Sequence, residues 1–221
     1  SWLERRWPGA GDEDIGRALD ELQERGYDAV SIDSYPHFIR HAPEAVYELV
    51  PCWTVQDWGS PGLNRVQVGK ELIKFIQYCA DRGIKVALST WWREDTHQLC
   101  NTISSPLGLA EVWLSVLRLL DKQNLLGSIL WVDISNEWPL PVWTPFQKEI
   151  GGYHTAKSRQ WMTQTLEIVR KEYPDLQYTF STTGELTENT PEIADMSALD
   201  LLEHHIWMAQ AKGSEFYEKV G

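Results

Sequence analysis

The chain has 221 residues, of which 43% are hydrophobic and 24% are charged, and its formal net charge is −12. This length is enough for one sizeable core, so we expect a single domain over residues 1–221. No apolar run approaches the roughly 20 residues that a membrane-spanning helix needs. No basic cluster offers the positive face that nucleic acids require. The composition therefore disfavours a membrane or nucleic-acid partner.

The first predicted unit is an amphipathic helix over residues 12–24, followed by a strand over residues 29–32. Apolar side chains recur at helical spacing in the first segment. An Arg-Gly pair follows it, and glycine is the preferred residue just past a helix. The strand opens into polar residues that include Asp33 and Tyr35. We expect these two side chains to bind substrate at the mouth of the strand.

The same order of helix and strand repeats along the rest of the chain. Further helices are predicted over residues 66–81, 109–123 and 154–172, and further strands over residues 84–89, 129–134, 178–181 and 200–207. This alternation favours a parallel sheet. No Gly-rich phosphate loop follows any strand, which removes the main support for a nucleotide-binding fold. The segment 43–64, rich in Trp and Pro, is predicted to be a loop that lines the mouth.

The most informative segment is Ile134-Ser135-Asn136-Glu137-Trp138-Pro139, at the end of a predicted buried strand. In a barrel of alternating strands and helices, chemistry takes place at the carboxyl ends of the strands. Cleaving a glycosidic bond needs a carboxylic acid that protonates the leaving oxygen. A Glu beside Trp and Pro is expected in a partly apolar pocket, which favours the protonated form of a carboxyl group. A plain turn with an N-cap is the alternative interpretation.

This segment resembles the fourth-strand signature of clan A glycoside hydrolases, the cellulase-like retaining enzymes. In that clan the Glu of Asn-Glu-Pro is the acid/base and the Asn binds the sugar 2-hydroxyl, which implies these roles for Glu137 and Asn136. Trp138 stands before the Pro here. The pair His205-x-Trp207 resembles the end of the clan's sixth strand, which often reads His-x-Tyr. We therefore expect His205 and Trp207 to shape the sugar site next to the cleaved bond.

The resemblance implies an α/β fold, a (β/α)₈ TIM-type barrel. A complete barrel of this type takes about 250 residues, and the chain is expected to supply an incomplete portion of it, strands two to six. We accordingly expect residues 1–221 to be part of a longer protein, with an open sheet. The resemblance also implies a retaining hydrolase of β-linked oligo- or polysaccharides, without a cofactor or metal, in a secreted or periplasmic location. The clan's nucleophile, a Glu at the end of strand seven, is expected beyond Gly221.

Tryptophan is unusually abundant, with 12 residues against 8 Tyr and 5 Phe. An indole combines a large apolar face with a polar N–H group, which suits both cores and wet binding clefts. Four tryptophans lie at or after predicted strand ends. They are Trp91, Trp92, Trp138 and Trp207. We expect these rings to stack on sugars, although most of the twelve are expected to fill the core.

Two other classes of function stay open. A barrel of this kind can bind carbohydrate without cleaving it, or it can be a metal-dependent isomerase or hydrolase. A mixed nitrogen and oxygen site of the second kind would draw on His204 or His205 together with Asp33, Glu137 and either Glu185 or Glu203. No HExxH spacing supports a metal. Because adjacent residues of a strand point to opposite faces, only one of the two histidines can enter the mouth.

Overall fold

The computed structural model describes residues 2–3, 13–49, 64–92, 99–138, 144, 146–150, 155–183 and 196–205. The helices are α1 (Ile15–Glu24), α2 (Pro36–His41), α3 (Val68–Asp81), α4 (Pro106–Asp121), α5 (Gln147–Ile150) and α6 (Ala156–Glu172). The strands are β1 (Ala29–Asp33), β2 (Tyr47–Leu49), β3 (Asn64–Val66), β4 (Lys85–Ser89), β5 (Ile129–Asp133), β6 (Gln177–Thr179), β7 (Thr182–Thr183) and β8 (His204–His205). Short 3₁₀ helices cover Leu99–Thr102, Leu126–Ser128 and Met196–Ala198.

The central sheet contains four parallel strands in the order β1-β4-β5-β6. Only two residues separate β6 from β7, and β7 pairs in parallel with β8. The backbone N–H of Thr182 also donates to the carbonyl oxygen of Glu203 at 2.9 Å. The four strands of the central sheet therefore lie side by side in chain order, and the β7-β8 pair follows directly after β6. This is the arrangement of an incomplete (β/α)₈ barrel, as the sequence predicts, and the described strands do not close into a ring.

The longest apolar helix, α4, packs against α2 and against α6. Ser105 caps its first turn by accepting from the N–H of Gly108 at 3.1 Å, and Pro106 occupies the first helical position. Its buried Trp113 donates from Nε1 to the carbonyl oxygen of Ile134 at 2.8 Å. This bond ties the helix to the end of β5. Among the described helices, none combines the length and the apolar character required to cross a bilayer.

The structure adds one helix and corrects one predicted loop. The sequence-based interpretation leaves out α2, which begins at Pro36 and buries Phe38 and Ile39. The segment predicted as a loop over 43–64 contains β2, which pairs with β3 in antiparallel register. This pairing places Val66 in a strand, so α3 begins two residues later than predicted. The backbone bonds that define β2 and β3 join distant residues, and local patterns do not reveal them.

The bond from Trp113 can be tested by Trp113→Phe, with Trp138→Phe as a matched control. Both indoles are almost fully buried, but Nε1 of Trp138 has no hydrogen-bond partner in the described structure. Trp113→Phe also leaves the carbonyl of Ile134 without its partner. We expect it to lower the free energy of unfolding by about 1–3 kcal/mol more than the control does. Urea denaturation of the two variants measures this difference, and equal losses would contradict the role of the bond.

Candidate active site

A buried carboxylate joins three neighbouring strand ends. Asp133, the last residue of β5, is 1% exposed. Its Oδ2 accepts from Ser89 Oγ at 2.6 Å and from Ser181 Oγ at 2.8 Å. Its Oδ1 accepts from the backbone N–H of Ser181 at 2.8 Å. Because Ser89 ends β4 and Ser181 lies between β6 and β7, this one side chain fixes how the three strands meet.

The environment of Asp133 changes the pKa of its carboxyl group in two opposite directions. Burial raises the pKa of this carboxyl group above its usual range, and the nearby charge of Glu203 raises it further. The hydrogen bonds from Ser89 and Ser181 act in the opposite direction and lower the pKa. The two serines therefore offset part of the desolvation penalty that a buried carboxylate carries.

Ser181 also positions the turn that follows β5. Ser181 Oγ accepts from the backbone N–H of Glu137 at 2.9 Å, and the Ser181 carbonyl accepts from the N–H of Trp138 at 2.8 Å. On the other side, the N–H of Asn136 donates to the carbonyl of Thr90 at 3.1 Å. The residues Asn136 and Glu137 are thus held by bonds to both neighbouring strand ends.

Three non-glycine residues near strand ends have left-handed backbone conformations. The φ angle is 48° at Tyr35 after β1, 48° at Trp92 after β4, and 51° at Glu137 after β5. Such a conformation costs about 1–3 kcal/mol and persists where the surroundings hold it in place. Strain of this kind clusters at functional sites. All three residues follow the carboxyl ends of parallel strands, so they mark one edge of the sheet as the site.

His205 is bracketed by two carboxylates. Its Nδ1 lies 3.1 Å from Glu137 Oε1, and its Nε2 lies 3.5 Å from Glu203 Oε1. Burial lowers the pKa of His205, but hydrogen bonding to Glu137 and Glu203 and the charge of Asp133 outweigh it and raise the pKa to about 10. His205 is therefore an imidazolium at neutral pH. Its neighbour His204 instead contacts Thr182 Oγ1 through Nδ1 at 2.9 Å.

Two of the predicted stacking tryptophans have no open ring face. Trp92 and Trp138 are 3% and 1% exposed. Trp92 donates from Nε1 to Ser135 Oγ at 2.9 Å and packs edge-on against Phe146, and Trp138 packs edge-on against Phe180. The prediction that these two rings are stacking platforms is wrong in this structure, because they support the site from beneath. Trp91 is partly exposed, and Trp207 lies outside the described residues.

Asp33 and Tyr35 were predicted to bind substrate, but the structure gives them internal roles. Both side chains are buried. Asp33 Oδ1 accepts from the N–H of Tyr35 at 3.0 Å, which stabilises the left-handed turn after β1. Asn136 and Glu137 are also nearly covered. Burial is more compatible with the roles predicted for these two residues than with stacking. An acid needs to present only one oxygen to the substrate, whereas stacking needs a whole ring face.

The structure adds Asp133, which the sequence-based interpretation did not place in the site. Asp133 stands out as an acid inside an apolar strand, and that position is the signal by which it is recognisable. Glu203, considered above as a metal ligand, immediately precedes β8, and its Oε1 lies 3.5 Å from His205 Nε2. Within the described residues, no three His, Cys, Asp or Glu side chains are grouped so as to hold a metal ion. Glu185, considered above as a metal ligand, lies outside those residues.

A parallel βα layer with a carboxylate held at its carboxyl edge is typical of barrel enzymes of the glycosidase type. The family model described as "Sugar-binding cellulase-like" matches residues 1–221, and the chain belongs to this cellulase-like family. The resemblance drawn from the strand-four segment is thereby confirmed. No curated protein matches the chain.

The solved structures that are similar to this chain include two that bear on its fold and family. A candidate glycoside hydrolase from Parabacteroides distasonis ATCC 8503 is 47% identical over 100% of the chain, with a TM-score of 0.89. The chain spans 59% of the length of that protein. An exo-β-1,4-mannosidase from Opitutaceae bacterium strain TAV5 is 16% identical over 92% of this chain and 35% of its own, with a TM-score of 0.54. The second similarity shows the shared fold.

The bridging role of Ser181 can be tested by Ser181→Ala, with Ser158→Ala as the control. Both serines are fully buried, but Ser158 Oγ has no hydrogen-bond partner in the described structure. Loss of the Ser181 hydroxyl leaves Asp133 short of a donor and the N–H of Glu137 without its acceptor. We expect Ser181→Ala to lower the free energy of unfolding by about 1–3 kcal/mol. Ser158→Ala should change it little. Equal effects in urea denaturation would argue against the bridge.

The raised pKa of Asp133 predicts a defined pH dependence. The folded chain holds this proton more tightly than the unfolded chain, in which the pKa is about 3.9. The contribution of Asp133 to the free energy of unfolding is therefore lost as the pH rises from about 4 through the raised pKa. We expect the difference in stability between wild type and Asp133→Asn to shrink over this range. Urea denaturation across a pH series measures it, and a constant difference would contradict the shift.

Proposed function

We propose that this chain forms the acid/base part of a retaining glycoside hydrolase that cleaves O-glycosidic bonds in β-linked oligo- or polysaccharides. The observation that carries the proposal is the Glu137 carboxyl group, held at the end of β5 and bonded to His205 at 3.1 Å. Membership of the cellulase-like family supports it, as does the description of the 47% identical relative as a candidate glycoside hydrolase. Residues 1–221 would then be an incomplete portion of one catalytic-type barrel domain.

In the first step, Glu137 as the acid gives its proton to the glycosidic oxygen while a second carboxylate attacks the anomeric carbon. The bond between sugar and leaving group breaks, and a covalent glycosyl-enzyme forms. The second carboxylate belongs to the seventh strand of the barrel according to the resemblance, and we assign it to no residue of this chain. Asn136 is proposed to donate a hydrogen bond to the sugar 2-hydroxyl, a contact that strengthens in the transition state.

In the second step, Glu137 has lost its proton and acts as a base. It takes a proton from a water molecule, whose oxygen attacks the anomeric carbon and releases the sugar. The return of the proton to Glu137 resets the enzyme. The role requires that this carboxyl group change protonation state in each cycle without moving. The backbone bonds from Asn136, Glu137 and Trp138 to neighbouring strand ends provide that rigidity.

Sugar stacking is proposed for Trp91 and Trp207 alone. Trp91 is partly exposed beside the buried Trp92, at the end of β4. An indole face next to polar groups suits the C–H face of a sugar ring. The buried indoles of Trp92 and Trp138 would set the position of this edge without touching substrate.

The second candidate function is carbohydrate binding without turnover. The description of the matching family as sugar-binding favours it. In that case Glu137 and His205 would be hydrogen-bonding groups for a sugar, and neither would transfer a proton. The two functions differ in what a neutral replacement of Glu137 does to catalysis and to binding.

Glu137→Gln in the full-length protein distinguishes them. The amide keeps the shape of the side chain but delivers no proton, and general acid–base catalysis contributes about 10²–10⁴-fold. We expect that loss on unactivated glycosides, with glycan binding retained. A dinitrophenyl glycoside needs no protonation of its leaving group, so formation of the glycosyl-enzyme should be affected far less. Added azide should then rescue the second step, because it attacks without a base.

The matched control is Glu167→Gln, an exposed glutamate on α6 that should leave turnover unchanged. Rates on both substrates and glycan affinity are measured for wild type and the two variants. Equal loss on activated and unactivated substrates without azide rescue would reject the acid/base role. Glycan binding by a full-length wild type that lacks turnover would favour the binding function.

A further inference from the structure

We propose that Glu203 is a positioning residue that acts on Glu137 through His205, and that the three side chains form a carboxylate–imidazolium–carboxylate array. The role of Glu137 as acid/base within this array rests on the proposed function. The array itself rests on distances and charges among described residues. Glu203 has no role in the two reaction steps proposed above.

The geometry brackets both nitrogens of one imidazole. His205 Nδ1 lies 3.1 Å from Glu137 Oε1, and Nε2 lies 3.5 Å from Glu203 Oε1. The second oxygen of Glu203 accepts from Trp131 Nε1 at 3.0 Å. Glu203 immediately precedes β8 and lies two residues before His205, and the 3.5 Å contact places the two side chains on the same side. Trp131 therefore anchors the outer carboxylate, and the imidazole lies between it and the candidate acid.

The surrounding charges favour a cationic imidazole. Glu137 and Asp133 face His205 from β5 and the turn after it, and Glu203 does so from its own segment. Each of these groups is acidic. His204 contacts Thr182 Oγ1 through its Nδ1 at 2.9 Å. A histidine placed among three carboxylates retains its proton well above the pH at which an isolated imidazole loses it.

Two consequences follow for Glu137. An imidazolium has two N–H donors and no acceptor, so it can only donate to Glu137 Oε1. A neutral imidazole could instead present a lone pair at Nδ1 and draw the acid proton onto itself. Glu203 keeps both nitrogens protonated, so Oε1 stays an acceptor and the transferable proton belongs to Oε2. The charge of Glu203 also offsets that of His205, since a lone cation beside Glu137 would favour its ionised form.

Glu203→Gln in the full-length protein tests the array. The amide can still accept from Trp131 through its oxygen, but it carries no charge. ¹⁵N-detected NMR of the His205 ring reports the protonation of both nitrogens across a pH series and needs no catalytic activity. We expect the pKa of His205 to fall by about 1–3 units, the range for loss of one nearby opposite charge. The alkaline limb of the pH–rate profile should move down with it, while the rate near neutral pH changes less.

Two further variants separate positioning from a general structural effect. Glu203→Asp keeps the charge on a shorter side chain, so the pKa of His205 should stay close to its wild-type value. This variant replaces Glu203→Gln in the test if Glu203→Gln does not fold. Glu167→Gln removes an exposed carboxylate from α6 and should leave the His205 titration unchanged. A thermal melt of each variant verifies folding.

The outcomes are distinct. A His205 titration that Glu203→Gln leaves unchanged overturns the array, whatever happens to the rate. A uniform loss of rate at every pH without a shifted limb makes Glu203 a structural residue and likewise overturns the positioning role. Full turnover by Glu137→Gln overturns the proposed function instead. The NMR titration would in that case still report whether Glu203 controls His205.

Discussion

The Asp133 carboxylate is the interaction on which the candidate site depends. A buried charge is tolerated only when donors replace the lost water, and here those donors come from Ser89 and Ser181 on two different neighbours of β5. The hydrogen bonds that Asp133 accepts therefore fix the relative positions of three strand ends. The hydroxyl of Ser181 also positions the turn after β5, because it accepts from the N–H of Glu137. The turn that presents the candidate acid is built on the requirement to solvate Asp133 internally.

A second constraint is the strained backbone at the same edge. Tyr35, Trp92 and Glu137 each turn the chain sharply within four residues of a strand end, and each has a side chain that a left-handed conformation disfavours. The surrounding packing must hold such residues. The edge-on contacts of Trp92 with Phe146 and of Trp138 with Phe180 provide that support. Several tryptophans of this chain thus serve as the rigid base of the edge rather than as its binding surface.

The sequence predicts the repeating part of the fold well, because amphipathic spacing and terminal glycines are local signals. Gly26 and Gly83, which end α1 and α3, have left-handed φ angles of 86° and 69° as their positions require. The strand-four segment likewise singles out Glu137 and Asn136 as candidate site residues. The exposure of an indole and the partner of a buried carboxylate are set by packing between distant segments. The burial of Trp138 and the role of Asp133 therefore emerge only in three dimensions.

The inner side of this sheet edge departs from the usual barrel interior, which is filled mainly by branched apolar side chains. Ser89, Asp133, Ser181, Glu203 and His205 form a polar layer beneath the candidate acid. Two carboxylates and one imidazolium belong to this layer, so the layer carries net negative charge. A glycosidic transition state develops positive charge on the sugar. Fixed negative groups near that position would stabilise it without reorganisation. The exchange of apolar packing for a bonded acidic layer is thus the physical feature that best suits the proposed chemistry.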